Sequence, residues 1–129
     1  MIEIVGIDHV QLSMPPDGEE EARRFYAEIL GLREIAKPPG LVGRGGCWFV
    51  GSNAAAIHLG REDGFTPHAK AHPAFVVRNL ANTREALAAK GVPIEDDDSG
   101  MDVARLYVRD PFGNRIELVD ARDAGFSAD

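Results

Sequence analysis

Polar and apolar residues roughly alternate through Gly6-Ile7-Asp8-His9-Val10-Gln11-Leu12-Ser13-Met14, the period of a strand with one covered face. Pro15-Pro16 ends that pattern. The period then lengthens. Ala22, Phe25, Tyr26, Ile29 and Leu30 make an apolar stripe at helical spacing. Asp17 is a candidate cap for this helix, and Glu19, Glu20 and Glu21 suit its positive N-terminal end. Gly31 stops it as a residue that accepts the left-handed conformation. Residues 32–36 read as a short strand, and Pro38-Pro39-Gly40 as a turn or loop. Residues 47–50 and 54–59 read as two more strands joined by Gly51-Ser52-Asn53.

The second half repeats the order. Residues 71–77 form a strand pattern, and Pro73 pushes His72 into extended geometry. Asn79 or Asn82 can cap a helix that runs to Lys90, and Gly91 ends it. Strands are expected at 92–95, 103–108 and 115–119, with 121–129 as a loose tail. Asp110-Pro111-Phe112-Gly113-Asn114 is a turn in which proline presets one dihedral and glycine permits a positive φ. Leu30-Gly31-Leu32 corresponds to Lys90-Gly91-Val92, Arg24 to Arg84, His9 to His72 and His58 to Glu117. The shared order predicts an α+β fold of two βαβββ modules. They span about 6–60 and about 70–120 within one domain, 1–129.

Composition narrows the partners. The chain has 129 residues, 44% hydrophobic and 27% charged, which suits a folded globular protein. Its formal charge of −7 argues against nucleic acid and anionic membrane as partners, since both need concentrated Lys and Arg. A lone Cys47 allows no intramolecular disulfide. The N-terminus lacks a basic segment followed by a long apolar run, and no stretch reaches the roughly 18 apolar residues of a membrane span. A cytoplasmic location is the expectation.

Four residues carry candidate chemistry. His9, His58, His72 and Glu117 fall on the first and last strands of the two halves. Imidazole and carboxylate together suit a divalent transition metal such as Fe(II), Mn, Ni, Co or Zn. Alternation places His9 on a face with Ile7 and Gln11, and Glu117 on a face with Arg115 and Val119. Trp48, Arg44, Arg105 and Tyr107 are candidate substrate-binding residues. His68 reads as a linker residue, Cys47 as core, and Glu95-Asp96-Asp97-Asp98 as a solvated acidic loop without the spacing of a calcium loop. Residues 43–46 are too short and wrongly placed for a phosphate loop.

Several of these segments together resemble the vicinal oxygen chelate superfamily, which includes glyoxalase I, bleomycin-resistance proteins, fosfomycin-resistance transferases and extradiol dioxygenases. The carriers are Ile7-Asp8-His9-Val10, Phe25-Tyr26 through Leu30-Gly31-Leu32, Ile57-His58-Leu59, Ala71-His72-Pro73-Ala74-Phe75, and above all Asp110-Pro111-Phe112-Gly113-Asn114-Arg115-Ile116-Glu117-Leu118. The resemblance covers residues 6–120. It implies two modules forming a half-open barrel around one divalent metal held by His9, His58, His72 and Glu117. It implies a small-molecule substrate that chelates the metal through neighbouring oxygens, with Glu117 or His58 as proton-transfer base, and a homodimer. The glyoxalase I type usually has Glu or Gln where this chain has His58, while in the fosfomycin type His9, His72 and Glu117 suffice. The expected function is a glyoxalase-like lyase or isomerase, or a small dioxygenase. The alternatives are a metal-free binding protein of the bleomycin-resistance kind and a thiol transferase.

Overall fold

The computed structural model describes residues 1–100 and 104–125. The chain divides into two compact units, Met1–Thr66 and Pro67–Asp129.

Unit 1 holds β1 (Val10–Met14), α1 (Glu19–Arg23), β2 (Arg33–Ile35), β3 (Cys47–Val50) and β4 (Ala56–Arg61). Its sheet runs β1-β4-β3-β2. β1 and β4 are parallel, with Gln11 opposite His58, and β3 and β4 are antiparallel, with Trp48 opposite His58. One face carries Met14, Ile57, Leu59, Cys47 and Phe49, all buried, and Ala22 of α1 with Phe25 and Tyr26 just after it are buried as well. Tyr26 stacks on Phe49 with ring centroids 5.5 Å apart. Burying a side chain of that size contributes roughly 2–3 kcal/mol. The other face carries Gln11, His58 and Trp48.

Unit 2 holds β5 (Ala74–Val77), α2 (Leu80–Ala89), β6 (Glu95–Asp96), β7 (Arg105–Arg109) and β8 (Arg115–Asp120). The order β5-β8-β7-β6 repeats that of unit 1. Ala74 and Tyr107 lie opposite Glu117, as Gln11 and Trp48 lie opposite His58. His72 stands two residues before Ala74 and His9 two before Gln11, so the register itself establishes the internal repeat. Leu106, Val108, Ile116 and Leu118 are buried on one face, with Leu80 and Leu87 of α2 buried as well.

Several expectations are corrected. The first strand begins at Val10, not Gly6, and the fifth at Ala74, so His9 and His72 sit just before strands rather than within them. Ladder pairing reaches no further back than Val10 and Ala74. Asp17 does not cap α1: it takes φ 65° in a turn, and Gly18 holds the cap position without a side-chain bond. After Arg23 the first helix widens into a π-helical segment, Arg24–Ile29, which sequence periodicity did not indicate. The loop after Pro38 contains a 3-10 segment, Pro39–Arg44. Asn79, not Asn82, caps α2, accepting from Asn82 N at 2.9 Å. The strand expected at 92–95 is β6, shifted to Glu95–Asp96. The expected strand start at Val103 and the tail beyond Gly125 lie outside the described residues. Gly31 and Gly91 end the two helical segments at φ 77° and 74°, where a β-carbon would be strained.

Candidate functional site

In unit 1 the candidate residues form a stack of rings. His58 lies on β4, which runs between β1 and β3, and is buried. The Trp48 indole lies on it with centroids 3.8 Å apart and planes 3° from parallel. His9 stacks on His58 at 3.9 Å and 18°. Asp8 Oδ2 is 2.7 Å from His9 Nδ1, which orients that ring and leaves Nε2 for another partner. Burial, then the neighbouring His9, pulls the His58 imidazole below its ordinary range, so its ring is neutral at pH 7.

In unit 2 the equivalent positions are wired by charge. His72 Nε2 stands 2.9 Å from Glu117 Oε1, and His72 Nδ1 stands 2.6 Å from the Lys70 carbonyl oxygen. Arg105 Nη1 lies 3.5 Å from Glu117 Oε2. Arg105 is itself held by Asp97, to which its Nε donates at 2.8 Å, and by Ser99 Oγ at 3.0 Å. That bond to Arg105 is the main reason the Asp97 carboxyl sits below its usual range. Tyr107 meets His72 edge-to-face at 5.5 Å, and its ring carries the Arg115 guanidinium 3.9 Å from its centroid.

Glu95, Asp96 and Asp98 are exposed, as expected, but Glu95–Asp96 form β6 rather than loop and the run is paired. Glu95, Asp96 and Asp97 meet Arg109, Arg84 and Arg105 at 3.4, 2.8 and 2.8 Å. Arg105 lies beside Glu117 as a residue already committed to Asp97. Arg44 is exposed in the 3-10 segment, and among the described residues no hydrogen bond, ion pair or ring contact joins it to His9, His58 or Trp48. His68 is exposed. Cys47 is buried, and burial pushes its thiol up to about 11, so it is no nucleophile at neutral pH.

The turn before β8 sets this geometry locally. Asp110 Oδ1 accepts from Phe112 N at 2.9 Å and Asn114 N at 2.8 Å, and Oδ2 accepts from Asn114 Nδ2 at 2.9 Å. A carboxylate on three donors fixes where β8 starts, and so which of its side chains share a face with Glu117.

The donor set can be tested against a metal. Ligands at right angles with bonds of about 2.1 Å stand about 3.0 Å apart. The His72–Glu117 separation of 2.9 Å, a hydrogen bond in this structure, is also compatible with two donors on one ion, and the Lys70 carbonyl on His72 Nδ1 is the kind of outer partner that would orient a ligating imidazole. The unit-1 pair behaves differently. An imidazole binds a metal in its own ring plane, and two near-parallel rings 3.9 Å apart share no point about 2 Å from a nitrogen of each. His9 and His58, stacked this way, do not both hold one ion. Among the described residues no group of three or more His, Cys, Asp or Glu side chains is clustered to hold a metal ion. Asp8, Lys70 and Arg115 were not among the sequence candidates. Asp8 is a neighbour of His9 and Arg115 shares the alternation of Glu117, but the Lys70 carbonyl leaves no trace in residue type.

Two sheets of one strand order, with His72 and Glu117 at the start of the parallel pair in the second, define a class before any comparison is made. The chain belongs to the glyoxalase/bleomycin resistance protein/dioxygenase superfamily, whose family model matches residues 6–118. A glyoxalase family protein from Bacillus anthracis is 48% identical, with a TM-score of 0.88, covering 93% of this chain and 98% of its own. A mutant form of FosX, a fosfomycin resistance protein from Listeria monocytogenes complexed with Mn(II) and dihydroxypropylphosphonic acid, is 18% identical with a TM-score of 0.74, covering 92% and 93%. TnmS3, an antibiotic binding protein from a Streptomyces species, is 22% identical with a TM-score of 0.66, covering 91% and 98%. The last two likenesses are of fold. Among curated proteins none matches. No helix among the described residues is long and apolar enough to cross a membrane.

Proposed function

We propose that the chain is a metal-dependent enzyme of the glyoxalase kind, a lyase or isomerase, binding one divalent transition metal through His9, His72 and Glu117. The observation that carries this reading is the 2.9 Å approach of His72 Nε2 to Glu117 Oε1, with His72 Nδ1 tied to the Lys70 carbonyl. His9, oriented by Asp8, is the third proposed donor. When bound, the metal acts as a Lewis acid on two neighbouring oxygens of a small substrate. Arg105 holds the second oxygen of Glu117 and so fixes the carboxylate's orientation. His58 takes another role than the fourth ligand. Its neutral ring accepts a proton from the substrate, and Trp48 holds that ring flat.

A second reading draws on the same stack. The stack of Trp48, His58 and His9 leaves the outer face of the half-exposed His9 ring on which a flat ligand can lie, as a metal-free binding protein requires. One experiment separates the two. Untagged protein, purified without chelator, is analysed by elemental mass spectrometry and titrated with Mn(II). The enzyme reading expects about one metal per chain, weakened in Glu117→Ala and His72→Ala by more than the roughly 10–100-fold that loss of a mere supporting partner costs. Folded variants that keep full metal affinity, or a wild type that takes no metal, overturn it in favour of the binding protein.

A further inference from the structure

We propose that Arg115 is the acid-group receptor of the unit-2 site, pairing with the carboxylate of a small hydroxy acid or oxo acid. This rests on the metal reading above and names the substrate class for it. Arg115 and Glu117 are alternate residues of β8 and share a face of the sheet, about 6.6 Å apart along the strand. The Arg115 guanidinium lies 3.9 Å from the centre of the Tyr107 ring, and Tyr107 lies opposite Glu117 and against His72. One side chain therefore brings a fixed positive charge beside the two candidate ligands.

Among the described residues no carboxylate meets this charge. Arg84, Arg105, Arg109 and Arg122 each meet a carboxylate, at 2.8, 2.8, 3.4 and 3.1 Å. Among the described residues Arg115 meets none, and its Nε is the one buried side-chain nitrogen or oxygen there without a hydrogen-bond partner. Leaving a buried donor unmade costs about 1–3 kcal/mol, which the ring contact, worth about 0.5–2 kcal/mol, only offsets. Packing alone does not account for an arginine at this position. A carboxylate does: its two oxygens match the guanidinium edge that the ring leaves free, since the ring covers only one face. A 2-hydroxy or 2-oxo acid also carries a second oxygen beside its acid group. That oxygen can reach toward His72 and Glu117 while Arg115 holds the acid.

Calorimetric titration tests this with three probes on wild type and Arg115→Met. Mn(II) alone should bind both proteins within about threefold, because Arg115 is no metal ligand. Glycolate should bind Mn(II)-loaded wild type and bind the variant about tenfold or more weakly, the effect of one charge-assisted hydrogen bond. Hydroxyacetone, its uncharged counterpart, should bind both proteins alike and weakly. Glycolate binding both proteins equally, or neither, overturns the proposal, and so does hydroxymethylphosphonate binding wild type more tightly than glycolate. If wild type takes no Mn(II), the metal reading fails. Glycolate titrated into the metal-free proteins then decides Arg115 by the same comparison. Melting gives a further readout. Unliganded Arg115→Met should melt at or above the wild-type temperature, because an unsatisfied donor is removed. A lower melting temperature with unchanged glycolate affinity marks a purely structural arginine and overturns the proposal.

Discussion

His58 and Glu117 occupy the same place in the two units, the middle of the last strand, flanked by partners in matching register. In unit 1 that residue is held by rings, Trp48 on one side and His9 on the other. In unit 2 it is held by charges, His72 on one oxygen and Arg105 on the other. The difference extends outward. The five-residue turn before β4 carries Asn53 and Ala54 at φ 53° and 60°, while the matching turn before β8 puts Gly113 where Ala54 stands and ties its backbone to Asp110. The π-helical segment follows α1, which has no side-chain cap, whereas α2 is capped by Asn79 and its Leu80 N–H donates to Asp120. A repeated backbone thus keeps its ladder while each copy solves the problem of its polar groups separately. Ladder bonds depend on the backbone alone, and side chains are free to diverge on the face the helix does not cover.

The sharpest way to break the comparison is at the turns. Asp110→Ala removes the carboxylate acceptor of Phe112 N, Asn114 N and Asn114 Nδ2, all close to the buried β8 start. It should cost about 3 kcal/mol, read as a fall in the urea midpoint with an unchanged slope. A change near zero would show that the turn does not depend on its carboxylate.

His58→Ala removes a buried ring from between two others and should cost about 2 kcal/mol in the same assay. Mn(II) affinity should stay within about threefold of wild type, since His58 is read as a base and not a ligand. Loss of metal would return His58 to the ligand set.

A smaller effect distinguishes the helix starts. Backbone bonds from Arg122 and Leu80 hold the Asp120 carboxyl down to about 2, below the ordinary 3.8. An acid with a lowered folded value stabilises fully above its unfolded value, and that stability is lost as pH falls through the folded one. Asp120 therefore contributes above about pH 4 and loses its contribution between about pH 4 and pH 2. Asp120→Asn should flatten the pH dependence of stability in that window, measured by denaturation at stepped pH, and an unchanged slope would contradict the assignment.

The smallest effect is a gain. Ala54→Gly should stabilise by about 0.5–1 kcal/mol by making unit 1 copy the Gly113 solution, because a left-handed alanine is strained. A loss of stability would mean that the alanine methyl packs usefully there.

Much of this architecture was open to reading in the chain. Alternation marked the strands, Gly31 and Gly91 marked the helix ends, and Asp110 through Asn114 marked a turn, because each is a short-range preference carried by residues adjacent in sequence. His9, His58, His72 and Glu117 could be singled out for the same reason: residue type and place in a repeat are local facts. The sequence also carried the family, through motifs spread over residues 6–118. What it left open depended on partners far along the chain. That His58 lies flat between two rings, that Asp97 binds Arg105, and that Arg115 lies over the Tyr107 ring are all decided across strands. Ring planes and ion pairs are set by where folded strands bring side chains together, and local sequence preference does not encode that meeting.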